Sequence, residues 1–190
     1  LVDESLLKFS ADRTGMADYA LESAGGSLIS VRCSETYYHK TALVSMFGIP
    51  LWYWSNSPRS VIQPNVNPGE CWAFKGQRGQ VVIELSNSII PSGFTLEHIP
   101  KSLSPTGDIK SAPKDFTVYG LEKEDSINGL SLGNYTYDDE SVSVQYFPIQ
   151  IPNPPVFKFI ELEVLNNYGQ IKYTCLYRFR VHGTPVDIPK

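Results

Sequence analysis

Hydrophobic and polar residues alternate with a period of two through most of the chain after residue 26, as they do in half-buried β-strands. Four short runs rich in Pro, Gly and Asn, at 67–69, 91–93, 105–107 and 152–155, are typical of turns between strands. Many short strands without helices between them predict a mostly β fold, an antiparallel β-sandwich of the jelly-roll type. The six clearest strand segments are "VVIEL" (81–85), "FTLEHI" (94–99), "FTVYGL" (116–121), "SVSVQYF" (141–147), "FKFIELEVL" (157–165) and "CLYRFRV" (175–181).

The first 26 residues have a different pattern, in which apolar residues recur at roughly helical spacing. Gly15 divides this region into two pieces, so we predict two short helices. Asp18 is expected to cap the second helix, which would start at Tyr19 and end at Gly25-Gly26. The apolar residues that set the spacing are Leu6, Leu7, Met16, Ala20 and Leu21.

Residues 37–57 fit a sandwich strand poorly, because aliphatic and aromatic residues fall on both faces around a Gly-Ile-Pro break at 48–50. The segment predicts a protruding β-hairpin, which is marginally stable by itself in water and has to be covered. Two interpretations stand. Both faces lie under the sandwich, or the hairpin is an arm that receives a strand from a partner.

Tyr173, Cys175 and Tyr177 share one face of a strand, because residues two positions apart point the same way. Two phenols on either side of a sulfur atom are compatible with core packing, with a disulfide, or with the wall of a binding pocket. The segment alone does not separate these three interpretations.

The chain contains three cysteines, at positions 33, 71 and 175. An odd number indicates either one intramolecular disulfide plus a thiol available to a partner, or three reduced thiols in a cytosolic protein. The triplet Asn134-Tyr135-Thr136 is a candidate glycosylation acceptor and slightly favours a lumenal or extracellular location.

Composition and motifs exclude several classes of function. The formal net charge of the 190 residues is −4 and the basic residues do not cluster, so we expect no nucleic-acid partner. No apolar run reaches the ~18 residues that a membrane span needs. His39, His98 and His182 lack metal-ligand spacing, and Glu97 and His98 point to opposite faces of one strand. With no nucleophile elbow, phosphate-binding loop or dinucleotide motif present either, we expect a protein that is not an enzyme.

Six motifs, in this order and at compatible spacing, resemble the SUN domain of the inner-nuclear-membrane SUN proteins, in particular the widely expressed vertebrate members. They are "RCSETY", "FGIPLWY", "CWAFKG", "FTLEHIPK", "SAPKDFTVYGL" and "YTCLYRFRVHG". The resemblance implies a helical segment at 1–17, the end of a coiled coil, and a SUN domain at 18–190 that forms a homotrimer on that coil. It also implies a soluble domain in the perinuclear space, belonging to a protein anchored in the inner nuclear membrane.

The resemblance further implies a partner and a set of contacts. The partner is the C-terminal peptide of a nesprin-type KASH protein in the outer nuclear membrane, so that the pair forms the LINC bridge from nucleoskeleton to cytoskeleton. The hairpin then corresponds to the KASH lid, which adds a strand to the peptide. Family positions pair Cys71 with Cys175 and leave Cys33 for a disulfide with the KASH peptide. The remaining implied contacts are the peptide pocket of His98, Ser111, Tyr173 and Tyr177 and the lid residues Phe47, Ile49, Leu51, Trp52 and Tyr53.

The loop at 60–70 resembles a family loop that holds a monovalent cation, Na⁺ or K⁺, largely through backbone carbonyls. Asn65 and Glu70 depart from the expected residues, which makes ligation by side chains doubtful. The cation residues implied by the resemblance are Ser60, Gln63, Asn65, Glu70 and Tyr177. The alternative to the whole assignment is a secreted jelly-roll module that binds a carbohydrate or another ligand, because this type of fold hosts many functions.

Overall fold

A computed structural model describes residues 12–29, 32–38 and 56–186 in full, and the backbone of 42–46 and 49–53. Among the elements that lie wholly within the described residues, 3₁₀-helices are found at Glu22–Ala24, Pro58–Ile62 and Lys101–Leu103. Within the described ranges, no helix combines the length and apolarity needed to cross a membrane. The strands are β1 Ser27–Leu28, β2 Ala42–Met46, β3 Ile49–Tyr53, β4 Trp72–Lys75, β5 Gly79–Glu97, β6 Asp115–Leu121, β7 Leu130–Thr136, β8 Val144–Pro148, β9 Phe157–Val164, β10 Tyr173–Leu176 and β11 Arg178–Pro185.

The main sheet is organised around β5, whose 19 residues pair with four other strands, all antiparallel. Its first part pairs with β1 and β9, and β9 continues the sheet to β6 and β7. Its last part, Gly93–Glu97, pairs with β8 on one edge and with β11 on the other. The register shifts between Glu84 and Ile89, where the ladder to β9 is interrupted. This one strand therefore connects the two layers of an antiparallel, jelly-roll-like sandwich, as the sequence pattern predicts.

An aromatic cluster fills the space between the layers. The Phe94 ring stacks on Phe179 at 5.6 Å between centroids, and Phe116 meets Phe147 edge to face at 5.0 Å. Tyr135 contacts both Phe94 and Phe116 and donates its hydroxyl hydrogen to backbone carbonyls. Rings from β5, β6, β7, β8 and β11 thus meet in one core. Aromatic pairs of this kind stabilise the fold beyond what the burial of their apolar surface alone contributes.

The strand predictions are confirmed for three segments, 116–121, 141–147 and 157–165, and corrected for the other three. Segment 81–85 and residues 94–97 of segment 94–99 belong to the single strand β5, which ends at Glu97, and the Pro-Ser-Gly run between them is not a turn. The ladder to β11 shifts register here, so Ser92 is the extra residue of a bulge. Gly93 is required because a Cβ atom would lie 2.3 Å from the Tyr146 hydroxyl oxygen. The Pro-Ser-Gly run therefore allows a bulge inside the strand and leaves room for the Tyr146 ring beside Gly93.

The predicted strand at 175–181 is two strands in two different sheets. β10 pairs with β4, β11 pairs with β5, and Tyr177 lies at the junction between them. A period-two pattern cannot show this change of partner, because each half of the segment alternates correctly by itself.

The predicted helix starting at Tyr19 is wrong. The Tyr19 N–H donates to the Val181 carbonyl and the Tyr19 carbonyl accepts from the Ser86 N–H, so tertiary hydrogen bonds take the backbone groups that a helix would use. The short 3₁₀-helix that does form ends, as expected, at Gly25, which has a φ of 104°. Residues 12–17 form turns rather than a helix, and the prediction for residues 1–11 lies outside the described residues.

A buried network of charged side chains fastens this N-terminal segment to the sandwich. Arg178 is 1% exposed and pairs with Asp18 at 3.2 Å and, through both terminal nitrogens, with Asp12. Arg180, equally buried, pairs with Glu97 at 2.6 Å. Asp18 also accepts hydrogen bonds from the backbone N–H groups of Ala20 and Val181. Burying two guanidinium groups is costly, so the buried carboxylates of Asp18 and Glu97 that compensate them are structurally essential.

We therefore predict that Asp18→Ala lowers the free energy of unfolding by about 3–5 kcal/mol, because it leaves a guanidinium buried without full compensation. The matched variant Asp12→Ala removes a carboxylate whose side chain is 49% exposed, and should cost about 1 kcal/mol or less. Urea unfolding of both variants measures the difference. If both variants lost the same free energy of unfolding, burial of Asp18 would not explain its contribution to stability.

Candidate functional site

A cleft of about 520 Å³ opens where the end of β5, the loop at 104–111 and β10 come together. All four residues of the predicted peptide pocket line it: His98, Ser111, Tyr173 and Tyr177. We call it the tyrosine cleft. Its wall also includes residues that the sequence analysis did not assign to a site, namely Pro68, Gly69, Ile99, Pro105, Ile109 and Gln170. A concave site that combines apolar walls with a few convergent polar groups is typical of a ligand site.

A disulfide between Cys71 and Cys175 holds one wall of the cleft in place, as predicted. The two Cα atoms lie 5.6 Å apart, within the usual range for such a bond. The Cys175 N–H donates to the Ser111 carbonyl at 2.8 Å, so β10 carries Tyr173 and the disulfide while it fixes the neighbouring loop. Tyr173, Cys175 and Tyr177 all line the cleft, which confirms that they share one face.

Tyr177 is 3% exposed and links the cleft to the loop at 68–69. Its hydroxyl oxygen accepts a hydrogen bond from the Gly69 N–H at 3.1 Å. Burial raises the pKa of the phenol, so the hydroxyl stays protonated at neutral pH. In the part of the chain that the structure describes, neither this hydroxyl hydrogen nor that of Ser111 has an acceptor. Both hydroxyl groups can therefore donate to a ligand.

His98 lies beneath Tyr177, with the two ring centroids 4.7 Å apart in an edge-to-face arrangement. The imidazole is 3% exposed, and its Nδ1 lies 3.0 Å from the Ile99 carbonyl oxygen. Burial lowers the pKa of His98 to about 4. The side chain is therefore neutral at physiological pH.

The tyrosine cleft adjoins the start of the predicted lid. The Tyr37 ring stacks on Tyr173 at 5.0 Å, and the Tyr37 N–H donates to the Ala73 carbonyl on β4. Shortly after it the chain forms the predicted hairpin, in which β2 pairs antiparallel with β3. Ile49, Leu51, Trp52 and Tyr53 lie on β3, and Phe47 lies outside the described residues. Neither strand pairs with any other strand in the described ranges, so the hairpin is a two-stranded sheet by itself.

Cys33 is the cysteine left outside the disulfide, as predicted. It is half-buried against the core, and its Sγ lies 3.6 Å from the Ile29 carbonyl oxygen. Burial raises the pKa of the thiol, so it is a weak nucleophile at neutral pH. An intermolecular disulfide at this position stays a prediction.

The side chains of the predicted cation loop do not converge on one point. Ser60 donates to the Ser57 carbonyl, Gln63 donates to Glu22, and Glu70 accepts from Asn67 at 2.9 Å. Asn65 lines a separate cleft beside the buried arginines, while Tyr177 faces the tyrosine cleft. Among the described residues, no group of three or more His, Cys, Asp and Glu side chains could hold a metal ion. Backbone carbonyls of the loop are the groups left for a cation.

Residues 51–185 match the family model described as Sad1/UNC-like C-terminal. The chain is 59% identical over 187 residues to SUN domain-containing protein 1 of Homo sapiens, and the match covers 98% of this chain and 24% of that protein. It is 53% identical over 188 residues to Klaroid protein of Drosophila melanogaster, covering 97% and 19% of the two chains. Nuclear migration and anchoring protein unc-84 of Caenorhabditis elegans is 44% identical over 193 residues, with 99% and 17% coverage. The chain thus spans a quarter or less of the length of these relatives.

Solved structures with a similar backbone include the family 32 carbohydrate-binding module of Streptococcus pneumoniae EndoD, with a TM-score of 0.60 and 14% sequence identity. The alignment covers 88% of this chain and 99% of that module. Allantoicase has a TM-score of 0.58 at 15% identity, covering 88% and 43% of the two chains. At this level of identity the likeness concerns the fold, and it confirms the jelly-roll-like sandwich.

We predict that replacing both Cys71 and Cys175 by Ser lowers the free energy of unfolding by about 4–5 kcal/mol, because the bond closes a loop of 104 residues. Denaturant unfolding of the oxidised domain and of the double variant measures this loss. The matched variant Cys33→Ser, outside the bond, should change stability by less than about 1 kcal/mol. A double variant as stable as the wild type would mean that the disulfide contributes nothing to holding the cleft.

Proposed function

Because this chain belongs to the Sad1/UNC-like C-terminal family, as its resemblance to the SUN domain indicated, we propose that it binds the C-terminal peptide of a KASH protein in the tyrosine cleft. One observation carries the proposal. Four residues from three separate parts of the sequence meet in one cleft, next to the base of a hairpin with no further strand partner among the described residues.

The chemistry of the cleft suits the free carboxylate at the end of a peptide. The Ser111 and Tyr177 hydroxyl groups can both donate hydrogen bonds, and donors in a partly desolvated site bind an anion more strongly than they do in water. The aromatic faces of His98, Tyr173 and Tyr177 offer apolar contact to proline rings near the end of the peptide. The rim is neutral overall, since Lys110 and Asp108 pair with each other at 3.1 Å.

The hairpin supplies the second half of the proposed contact. A two-stranded sheet has unpaired backbone groups along its outer edges, and an extended peptide satisfies them by adding a strand. Main-chain hydrogen bonds then contribute affinity, while the cleft binds the terminal residue and provides specificity. We propose that Ile49, Leu51, Trp52 and Tyr53 on β3, together with Phe47, form this lid, and that Cys33 forms a disulfide with the peptide.

The proposed role is to join the two membranes of the nuclear envelope. The domain would lie in the perinuclear space as the lumenal part of an inner-nuclear-membrane protein, trimeric on its coiled coil, within the LINC complex. The name of the relative unc-84, a nuclear migration and anchoring protein, is consistent with a mechanical bridge of this kind. A carbohydrate-binding module is the second candidate, and its support is the fold shared with family 32 modules.

The loop at 60–70 is proposed to bind Na⁺ or K⁺ through backbone carbonyls, because the side chains of Ser60, Gln63 and Glu70 already take part in hydrogen bonds within the protein. Pro64, Pro68 and Gly69 restrict the loop, and Gly69 has a φ of 89°, a conformation that other residues rarely adopt. Anomalous scattering from crystals grown with rubidium should show one ion in the loop. A featureless map there would contradict the proposal.

Peptide titration tests the proposed function directly. A synthetic KASH C-terminal peptide should bind, while its C-terminally amidated form and the variants His98→Ala and Tyr177→Ala should each bind about 30-fold more weakly, a loss of ~2 kcal/mol. If the Tyr177 hydroxyl binds the carboxylate, Tyr177→Phe and amidation remove the same hydrogen bond, so their effects should not add. Isothermal titration calorimetry measures all of these affinities.

Tyr146→Phe is the matched control, because Tyr146 donates to the Ser92 carbonyl and does not line the cleft. Its affinity should equal that of the wild type. Affinities within about twofold for the amidated peptide and both alanine variants would place the binding site elsewhere. Binding to a glycan array without binding to the peptide would favour the carbohydrate-binding alternative.

A further inference from the structure

The hydrogen bond of His98 within the protein determines which of its nitrogens carries the proton. Nδ1 lies 3.0 Å from the Ile99 carbonyl oxygen, and a carbonyl oxygen can only accept. Nδ1 must therefore hold the hydrogen. In a neutral imidazole the other nitrogen then has a lone pair and no hydrogen, so Nε2 is an acceptor.

This acceptor has no partner inside the protein. Nε2 of His98 is buried and makes no hydrogen bond with the described residues, although the side chain lines the tyrosine cleft. A buried acceptor left unsatisfied costs about 1–3 kcal/mol, so the site gains from a ligand that supplies a donor. The carboxylate of a peptide cannot do this, because it is itself an acceptor.

The surroundings do not favour the protonated imidazole, in which Nε2 would become a donor. The titratable groups that face the ring are two phenols, Tyr177 at 4.7 Å and Tyr137 at 6.3 Å between centroids. Glu97, the neighbour in sequence, points to the other face and pairs with Arg180. The charged side chains of the cleft wall, Asp108 and Lys110, neutralise each other. Burial lowers the pKa of His98 to about 4, in agreement with this environment.

We infer that His98 enters the complex as a neutral acceptor, whose Nε2 receives a hydrogen bond from an N–H or O–H group of the bound peptide. The terminal carboxylate is held instead by the hydroxyl donors of Ser111 and Tyr177. The inference rests on the proposed peptide-binding function. It makes the cleft selective for a terminal residue that presents both a donor and a carboxylate, since a ligand with the carboxylate alone leaves Nε2 unsatisfied.

Proton linkage separates the two modes of binding. If His98 remains neutral, complex formation takes up no proton, and the affinity for a synthetic KASH C-terminal peptide changes by less than about twofold between about pH 5 and about pH 7. If the carboxylate instead pairs with an imidazolium, binding raises the pKa of His98. The affinity then increases up to about tenfold for each unit that the pH falls, with about one proton taken up. Calorimetry in two buffers of different ionisation enthalpy measures the proton uptake.

Two variants and one spectrum complete the test. In His98→Gln the amide oxygen replaces the acceptor, so the pH profile should match that of the wild type while the affinity falls modestly. His98→Leu has no acceptor and should bind at least about tenfold more weakly than His98→Gln. Thermal unfolding shows whether each variant is folded. In the wild type, a nitrogen-15 spectrum of labelled histidine should show a proton on Nδ1 and none on Nε2, with and without peptide.

Proton uptake near one, or a proton on Nε2 in the complex, would overturn the inference while leaving the peptide-binding function intact. A peptide that fails to bind the wild type at any pH would reject the proposed function and this inference with it. Flat affinity, no proton uptake and an unprotonated Nε2 would support both.

Discussion

Backbone pairing along β5 is the constraint on which the rest of the structure depends. This strand makes antiparallel ladders with β1, β8, β9 and β11, so both layers of the sandwich are built from one continuous segment. The end of β5 also places side chains in the buried ionic network and in the tyrosine cleft. Glu97 points to one side and compensates the buried Arg180, whereas His98, beyond the end of the strand, faces the tyrosine cleft. Adjacent residues of an extended chain thus contribute to stability on one face and line the cleft on the other.

The tyrosine cleft exists because the chain changes sheet at Tyr177. β10 pairs with β4 and carries Cys175, which forms the disulfide with Cys71, whereas β11 pairs with β5. Tyr177 at this junction packs on His98 and accepts a hydrogen bond from Gly69, which brings three segments distant in sequence to one point. A disulfide, a ring contact and a hydrogen bond thus hold the cleft wall together where it would hold a terminal residue. The hairpin beside it is a two-stranded sheet, a unit that gains stability from an added strand.

Local sequence signals correctly predicted the features that follow from strand period and turn chemistry. They missed the features that depend on contacts between residues distant in sequence. The shared face of Tyr173, Cys175 and Tyr177 follows from the strand period and is confirmed. The convergence of His98 with Ser111 was expected from family resemblance, since nothing local connects the two residues. Asp18 does accept the N–H of Ala20, yet no helix follows, because Arg178 and Val181 on β11 take its other interactions. Arg178 and Arg180, two positions apart in an otherwise apolar strand, are the sequence signal from which this buried ionic network could have been predicted.

If this SUN domain recognises the end of a peptide chain as proposed, a crystal structure of the domain with a synthetic KASH C-terminal peptide will show where that end binds. We expect the last residue to lie in the tyrosine cleft, with its carboxylate at Ser111 and Tyr177 and a donor at Nε2 of His98. The preceding residues should pair with the edge of the hairpin. A peptide bound with its terminus in solvent and the cleft unchanged would contradict this proposal.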